Sequence, residues 1–169
     1  MPRQAGSRLS SQTLGALRMK LDYHFTFEKD WRTAPLAFWV HIPVPGTKTE
    51  CNPPAPAEVP HRGYQTLRVL FEKYELQFSA PAQLDHFIQV LASNPMPTSR
   101  KLSSQRGLPV GPNGHWLSRL PAALKSPRNR AKLVQVMRAV REQVFNQAPN
   151  PSIERTSPGK PGVSSHLKR

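Results

Sequence analysis

Carboxylates are scarce in this chain, and scarcest toward its C-terminal end. Of 169 residues, ten are Asp or Glu against 24 Lys and Arg. Asp22, Glu28, Asp30, Glu72, Glu75 and Asp85 are scattered with no paired motif, which gives no sequence support for acid–base catalysis by two carboxylates. Cysteine is nearly absent. Cys51 stands alone, so an internal disulfide and a paired-cysteine zinc cluster are both excluded. That economy fits a reducing compartment, and a cytoplasmic location is expected. Cys51 lies in the proline-rich "TKTECNPPAPAEVP", with no base beside it to raise its reactivity. No run of about 18 apolar residues exists, so no transmembrane helix is expected. A continuous apolar signal-peptide core is missing too. The hydrophobic fraction, 37%, falls below the roughly 45–50% usual for globular chains. A folded core of roughly 110–130 residues with loose ends is expected.

The known chemical signatures are also missing. Gly107, Gly111 and Gly114 are spaced G-x3-G-x2-G with no Lys-Ser/Thr after them, so they do not form a phosphate-binding P-loop. No G-x-S-x-G elbow occurs. The histidines, 24, 41, 61, 86, 115 and 166, include no H-x-x-x-H or H-E-x-x-H pair. His24 and His41 could meet only if their segments were adjacent strands. No catalytic residue, metal or cofactor is therefore expected.

What is abundant is proline, 19 residues with most of them clustered at 43–60, 95–127 and 149–161, and positive charge. Between the clusters the pattern is regular. "KLDYHFTFE" (20–28) alternates Leu21, Tyr23, Phe25 and Phe27 with polar residues, as a half-buried strand does. "LAFWVHIPV" (36–44) alternates similarly and predicts a second strand ending at Pro43. A long proline-rich loop follows over 43–63. In "YQTLRVLFEKYELQFS" the apolar parity switches at Glu72–Lys73, which predicts a hairpin or a bulge; an uninterrupted helix competes. Pro81 opens a helix with its stripe on Leu84, Phe87, Ile88 and Leu91. Residues 95–114 show no periodicity and read as an irregular basic loop. A short helical turn is expected over 115–120, ended by Pro121. The last helix starts with Ser126 as N-cap and Pro127 in its first turn, and buries Leu133, Val136, Met137, Val140 and Val144. The fold class predicted is α+β: a small antiparallel sheet of about four strands with two to three helices on one face. A single domain over 19–147 would carry it. Residues 1–18 read as a disordered extension, with Met19 an alternative start, and 148–169 as a disordered tail.

The charge is the functional signal. Residues 1–94 hold ten cations and eight anions, while residues 95–147 hold ten cations against Glu142 alone. Such asymmetry points to a polyanionic partner. The candidate nucleic-acid-binding residues are Arg100, Lys101, Arg106, His115, Trp116, Arg119, Lys125, Arg128, Arg130, Lys132, Arg138 and Arg141. The cations suit phosphates through charge attraction and bidentate Arg geometry. His115 and Trp116 suit stacking on an unpaired base. The bland alternative is a solvated face that keeps the chain soluble. A helix-turn-helix over 115–145 is weakened by Pro121 and by a turn without Gly.

Two stretches bring a resemblance. "AQLDHFIQVLAS" and "GPNGHWLSRLPAALK" resemble an uncharacterised family of small proteobacterial proteins, often encoded on mobile or variable DNA. The match runs over roughly residues 66–145 and implies no activity. It implies that "HWLSRLP" is a shared feature, with Trp116, Leu117 and Leu120 anchoring the loop and His115 and Arg119 exposed. The tail "PNPSIERTSPGKPGVSSHLKR" resembles translated repeat DNA near mobile gene cassettes. The sequence therefore predicts a non-catalytic module that binds DNA or RNA. A protein-interaction module, antitoxin-like or accessory, is the alternative, with the aromatic sheet face and the proline loop meeting an acidic protein partner.

Overall fold

Strand β1 (Asp22–Glu28) forms where the aromatic alternation lies. The structure, a computed structural model, describes residues 20–107 and 114–145. The expectations for 1–18, for Gly111 and for the tail 148–169 lie outside these described residues. β1 pairs antiparallel with β4 (Tyr64–Phe71), which pairs antiparallel with β5 (Tyr74–Phe78), giving the order β1-β4-β5. Register sets Tyr23 opposite Val69, Phe25 opposite Leu67, and Val69 opposite Leu76. Side chains alternate across a strand, so these residues share one face. On it Leu67, Val69, Phe71 and Phe78 are buried. The parity switch is a two-residue turn: Phe71 pairs with Tyr74, and Glu72 takes the positive φ that tight hairpins favour.

The other sheet face is clamped by one guanidinium. Arg68 on β4 donates to Thr26 Oγ1 (2.9 Å) and Glu28 Oε1 (2.8 Å) on β1, and to Glu75 Oε1 (2.7 Å) on β5. Its hydrogen bond, with a second from Thr26, holds the Glu28 carboxyl below the usual carboxylate range.

Between β1 and β4 the chain departs from expectation. Residues 36–44 do not make a long strand. A 3-10 turn (Trp31–Thr33) is followed by helix α1 (Ala37–Val40) and then a two-residue strand β2 (Ile42–Pro43). Leu36, Ala37 and Val40 are buried while Phe38 is half exposed, a helical spacing that overrides the period-two pattern. Ala37, fully buried against the Trp31–Ala34 cluster, needs that turn of helix to reach it. The proline loop is likewise more built than expected. β2 pairs with β3 (Cys51–Asn52), and Val59 bridges Gly63. Among the described residues the strands thus number five, three in the main sheet and two in this short ladder.

A buried polar network staples this excursion to the helices. Ser79 N–H donates to Gln83 Oε1 (3.0 Å), Gln83 Nε2 donates to Ser79 Oγ (2.8 Å), and Ser79 Oγ donates to the Trp31 carbonyl (2.9 Å). A carbonyl can only accept, so His41 Nδ1 donates to Pro53 O (2.9 Å) and Nε2 accepts from Gln83 (3.2 Å). His41 and Gln83 are both buried, and satisfied groups of this kind hold a segment in one place.

Helix α2 (Pro81–Ala92) starts on Pro81 and buries Leu84, Phe87, Val90 and Leu91. The loop expected over 95–114 contains a helix, α3 (Ser99–Gln105), opened by Thr98, whose Oγ1 accepts from Lys101 N–H (3.2 Å). It is too short and too polar to show a period in sequence. Two single turns follow, α4 (Trp116–Arg119) and α5 (Ala122–Lys125), separated at Pro121. That split rules out a full first helix for a helix-turn-helix. Helix α6 (Pro127–Phe145) is the longest and buries Leu133, Val134, Met137 and Val140. Side chains from the sheet, α2, α4 and α6 join in one core cluster. The α+β class therefore holds, with more and shorter elements than expected. Among the described residues no helix is long and apolar enough to cross a membrane.

Candidate nucleic-acid interface and histidine cleft

The 3.6-residue period of α6 divides its charges into two groups. Arg128, Lys132 and Arg138 are exposed on the side opposite Leu133, Met137 and Val140. Arg130 and Arg141 lie nearer the buried stripe and are half buried. Arg130 and Arg138 border a groove of about 300 Å³ between the start of α6 and the end of α2, with Leu91, Ala92 and Pro127. Arg141 binds Asp85 of α2 through two nitrogens, at 2.7 and 3.2 Å, and lies 5.2 Å from the Phe145 ring. That hydrogen bonding raises its pKa. Ser126, expected to cap α6, instead sends its hydroxyl back to the Ala123 carbonyl (2.9 Å), as does the Asn129 amide (3.0 Å).

The remaining candidates divide in the same way. Arg100 and Lys101 are exposed on α3, and Arg119 is exposed on α4. Arg106 is half buried: its Nε donates to the Phe38 carbonyl (3.2 Å) and its guanidinium sits 4.9 Å from the Phe38 ring. Lys125 is half buried too, donating to the Leu117 carbonyl (3.3 Å). The structure thus gathers Arg128, Lys132 and Arg138 on one helix face. It puts Arg100 and Lys101 on another helix, and engages Arg106, Lys125 and Arg141 within the fold.

His115 and Trp116 correct the sequence reading. Both were expected to reach a base, and His115 to be exposed; His115 is 1% and Trp116 4% exposed. Trp116 does anchor its segment, with Leu117 and Leu120 beside it in the core. Its ring packs on Phe87 (5.4 Å) and His86 (5.9 Å), and its Nε1–H is buried without a partner. His115 serves as N-cap of α4: its Nδ1 accepts from Leu117 N–H (3.1 Å). Its ring lies 4.3 Å from Trp39. Burial first, and then the neighbouring His86 imidazole, push its pKa down to about 4. At neutral pH it is therefore uncharged. With Nδ1 an acceptor, the proton sits on Nε2.

His86, from α2, is also held below the ordinary histidine value by burial, and its Nε2 is buried without a partner. Both imidazoles line a cleft of about 300 Å³ with Trp39, Leu102, Gln105 and Arg106. His24 and His41 do not meet, because their segments are not adjacent strands. His24 is exposed on β1 opposite Arg68, while His41 is buried behind α1. The pair that does meet is separated by 28 residues in sequence, with nothing in its spacing to announce it. Among the described residues no three His, Cys, Asp or Glu converge as metal ligands. No protein-family model, curated protein or solved structure matches this chain, so its residues are the whole ground for reading what it does.

Proposed function

We propose that the protein binds nucleic acid without catalysis, through the exposed face of α6. The observation that supports this reading is the row Arg128, Lys132 and Arg138, exposed along one helix with Glu142 the only carboxylate of that helix. From 128 to 138 the helix rises about 15 Å, which spans roughly four phosphates of one strand in a duplex. Arg130 flanks this row, and Arg100 and Lys101 are exposed on α3. The burial of His115 and Trp116 removes base stacking from the mechanism, so recognition rests on the backbone and is steeply salt-dependent. The test is an anisotropy titration of the full chain with labelled duplex and single-stranded DNA and RNA over a salt series. The combined Arg128→Gln, Lys132→Gln and Arg138→Gln variant should lower the slope of log affinity against log salt by about 2–3 on duplex. An unchanged slope overturns the reading.

A protein-interaction role is favoured by one separate observation. β5 is an outer strand, and its residues Glu75–Phe78 border a groove of about 480 Å³ with Leu36, Phe87, Trp116 and Leu120. An outer strand carries unpaired backbone groups that an extended peptide can complete. The same titrations separate the two readings, because this one requires no nucleic-acid signal even at low salt.

A further inference from the structure

We propose that the cleft shared by His86 and His115 is a binding site for a small carboxylate-bearing molecule with an apolar body. Four observations converge on it.

The first is charge. Among the described residues that line the cleft, Arg106 is the one cation and none is Asp or Glu. An anion is the complementary ligand.

The second is the set of donors. Arg106 spends its Nε on the Phe38 carbonyl, which leaves the two terminal nitrogens, spaced to take the two oxygens of a carboxylate. The Phe38 ring beneath the guanidinium limits its motion. His115 has Nδ1 occupied by Leu117 N–H, so Nε2–H is the nitrogen left for a ligand. The Gln105 amide lines the same cleft.

The third is the walls. Trp39, Val40, Ile42 and Leu102 are apolar, and they fit a hydrocarbon or aromatic body better than a hydrated ion. Phosphate would meet a single positive charge and a largely apolar lining, a poor exchange for its hydration. A cleft of about 300 Å³ holds roughly ten water-sized groups, the size of a small aromatic acid.

The fourth is an unmet polar atom. His86 Nε2 is buried without a partner beside this cleft, and orphaned buried nitrogens are rare in folded proteins. Both imidazoles line the cleft and are held below the ordinary histidine value by burial, and groups perturbed in this way cluster at functional sites.

The probes are benzoate, its uncharged counterpart benzamide, and inorganic phosphate, titrated into the full chain while the histidine ring resonances are followed. Benzoate should bind saturably and shift the His115 and His86 signals but not those of His24. Benzamide should bind at least tenfold more weakly. Arg106→Gln should weaken benzoate tenfold or more while the circular dichroism stays unchanged. Arg106→Lys, which keeps the charge without the fork, should fall between. The proposal is overturned if benzoate leaves both rings unmoved, or binds no better than benzamide. Tighter binding of phosphate than of benzoate overturns the carboxylate assignment. The fall in salt slope on changing Arg128, Lys132 and Arg138 together should be unchanged in the Arg106→Gln background, which keeps this test apart from that of α6.

Discussion

Lowering the pH from 7 to 4 should cost this protein on the order of 3 kcal/mol through one imidazole. His115 ordinarily titrates near 6.5 and in the fold near 4. Each pH unit of that difference is worth about 1.4 kcal/mol. The sign follows from which state takes the proton. As the pH falls through 6.5 the unfolded chain protonates His115 and the folded chain does not, so stability is complete above 6.5 and drains away down to about 4. Below that, this group has no further effect. Protonation would place a hydrogen on Nδ1, where Leu117 N–H now donates, and α4 would lose its cap. His86, shifted in the same direction by burial, adds to the loss. Glu28 contributes only at lower pH, because its depressed carboxyl gives stability that is lost as the pH falls below the ordinary carboxylate value. Urea unfolding at pH 7, 6, 5 and 4 measures the effect. In His115→Asn the side chain can still cap α4 but cannot titrate, and the curve between pH 4 and 6.5 should flatten by up to about 1.4 kcal/mol per unit. Parallel curves for the two proteins, or a His115 ring signal titrating near 6.5, would refute the reasoning.

Three further outcomes are expected. Phe87→Ala removes a ring buried between Phe78 and Trp116 and should lower unfolding stability by about 3–5 kcal/mol, with the urea slope unchanged. Gly63→Ala sets a side chain at φ +90° and drives its Cβ into the Glu28 carbonyl oxygen; a loss of roughly 1–3 kcal/mol in the same assay is expected. Asp85→Asn breaks the Arg141 pair on a half-exposed surface, so stability should change by less than about 1 kcal/mol. If α6 binds nucleic acid, removing that carboxylate should tighten low-salt binding in the anisotropy assay.

The parts of the fold that could be read in sequence are those where local pattern and tertiary burial coincide. β1, the β4–β5 hairpin and α2 announce themselves through alternation, a parity switch and Pro81, and the sheet and helix stripe bury those faces. Residues 36–40 mislead because Leu36, Phe38 and Val40 alternate, yet no neighbouring strand is there to pair with them. The Trp31 cluster and α2 take Ala37 and Val40 instead. α3 is hidden because seven polar-rich residues carry no period. Charge is legible as a sum and illegible as a surface. Whether Arg141 is committed depends on Asp85, 56 residues away, and whether Arg106 is depends on a carbonyl 68 residues away. His115 and Trp116 looked like ligands because they follow a glycine loop next to cations, and only the packing of α2 and α1 over them makes them interior.

β4 is the centre of the main sheet, but its two neighbours reach it by very different routes. β5 and α2 follow it directly in sequence, so the run 64–92 can assemble from contacts close along the chain. β1 must wait for the 35 residues between Glu28 and Tyr64 to close on themselves, at an entropic cost on the order of 3 kcal/mol. The stapled excursion, with its 3-10 turn, α1 and the His41–Gln83 network, offsets that cost only after α2 is in place to receive it. One strand therefore has an early edge and a late edge. Backbone amides of β4 that bond to β5 should close first and open last, and those that bond to β1 should exchange with solvent sooner, although they alternate within the same eight residues.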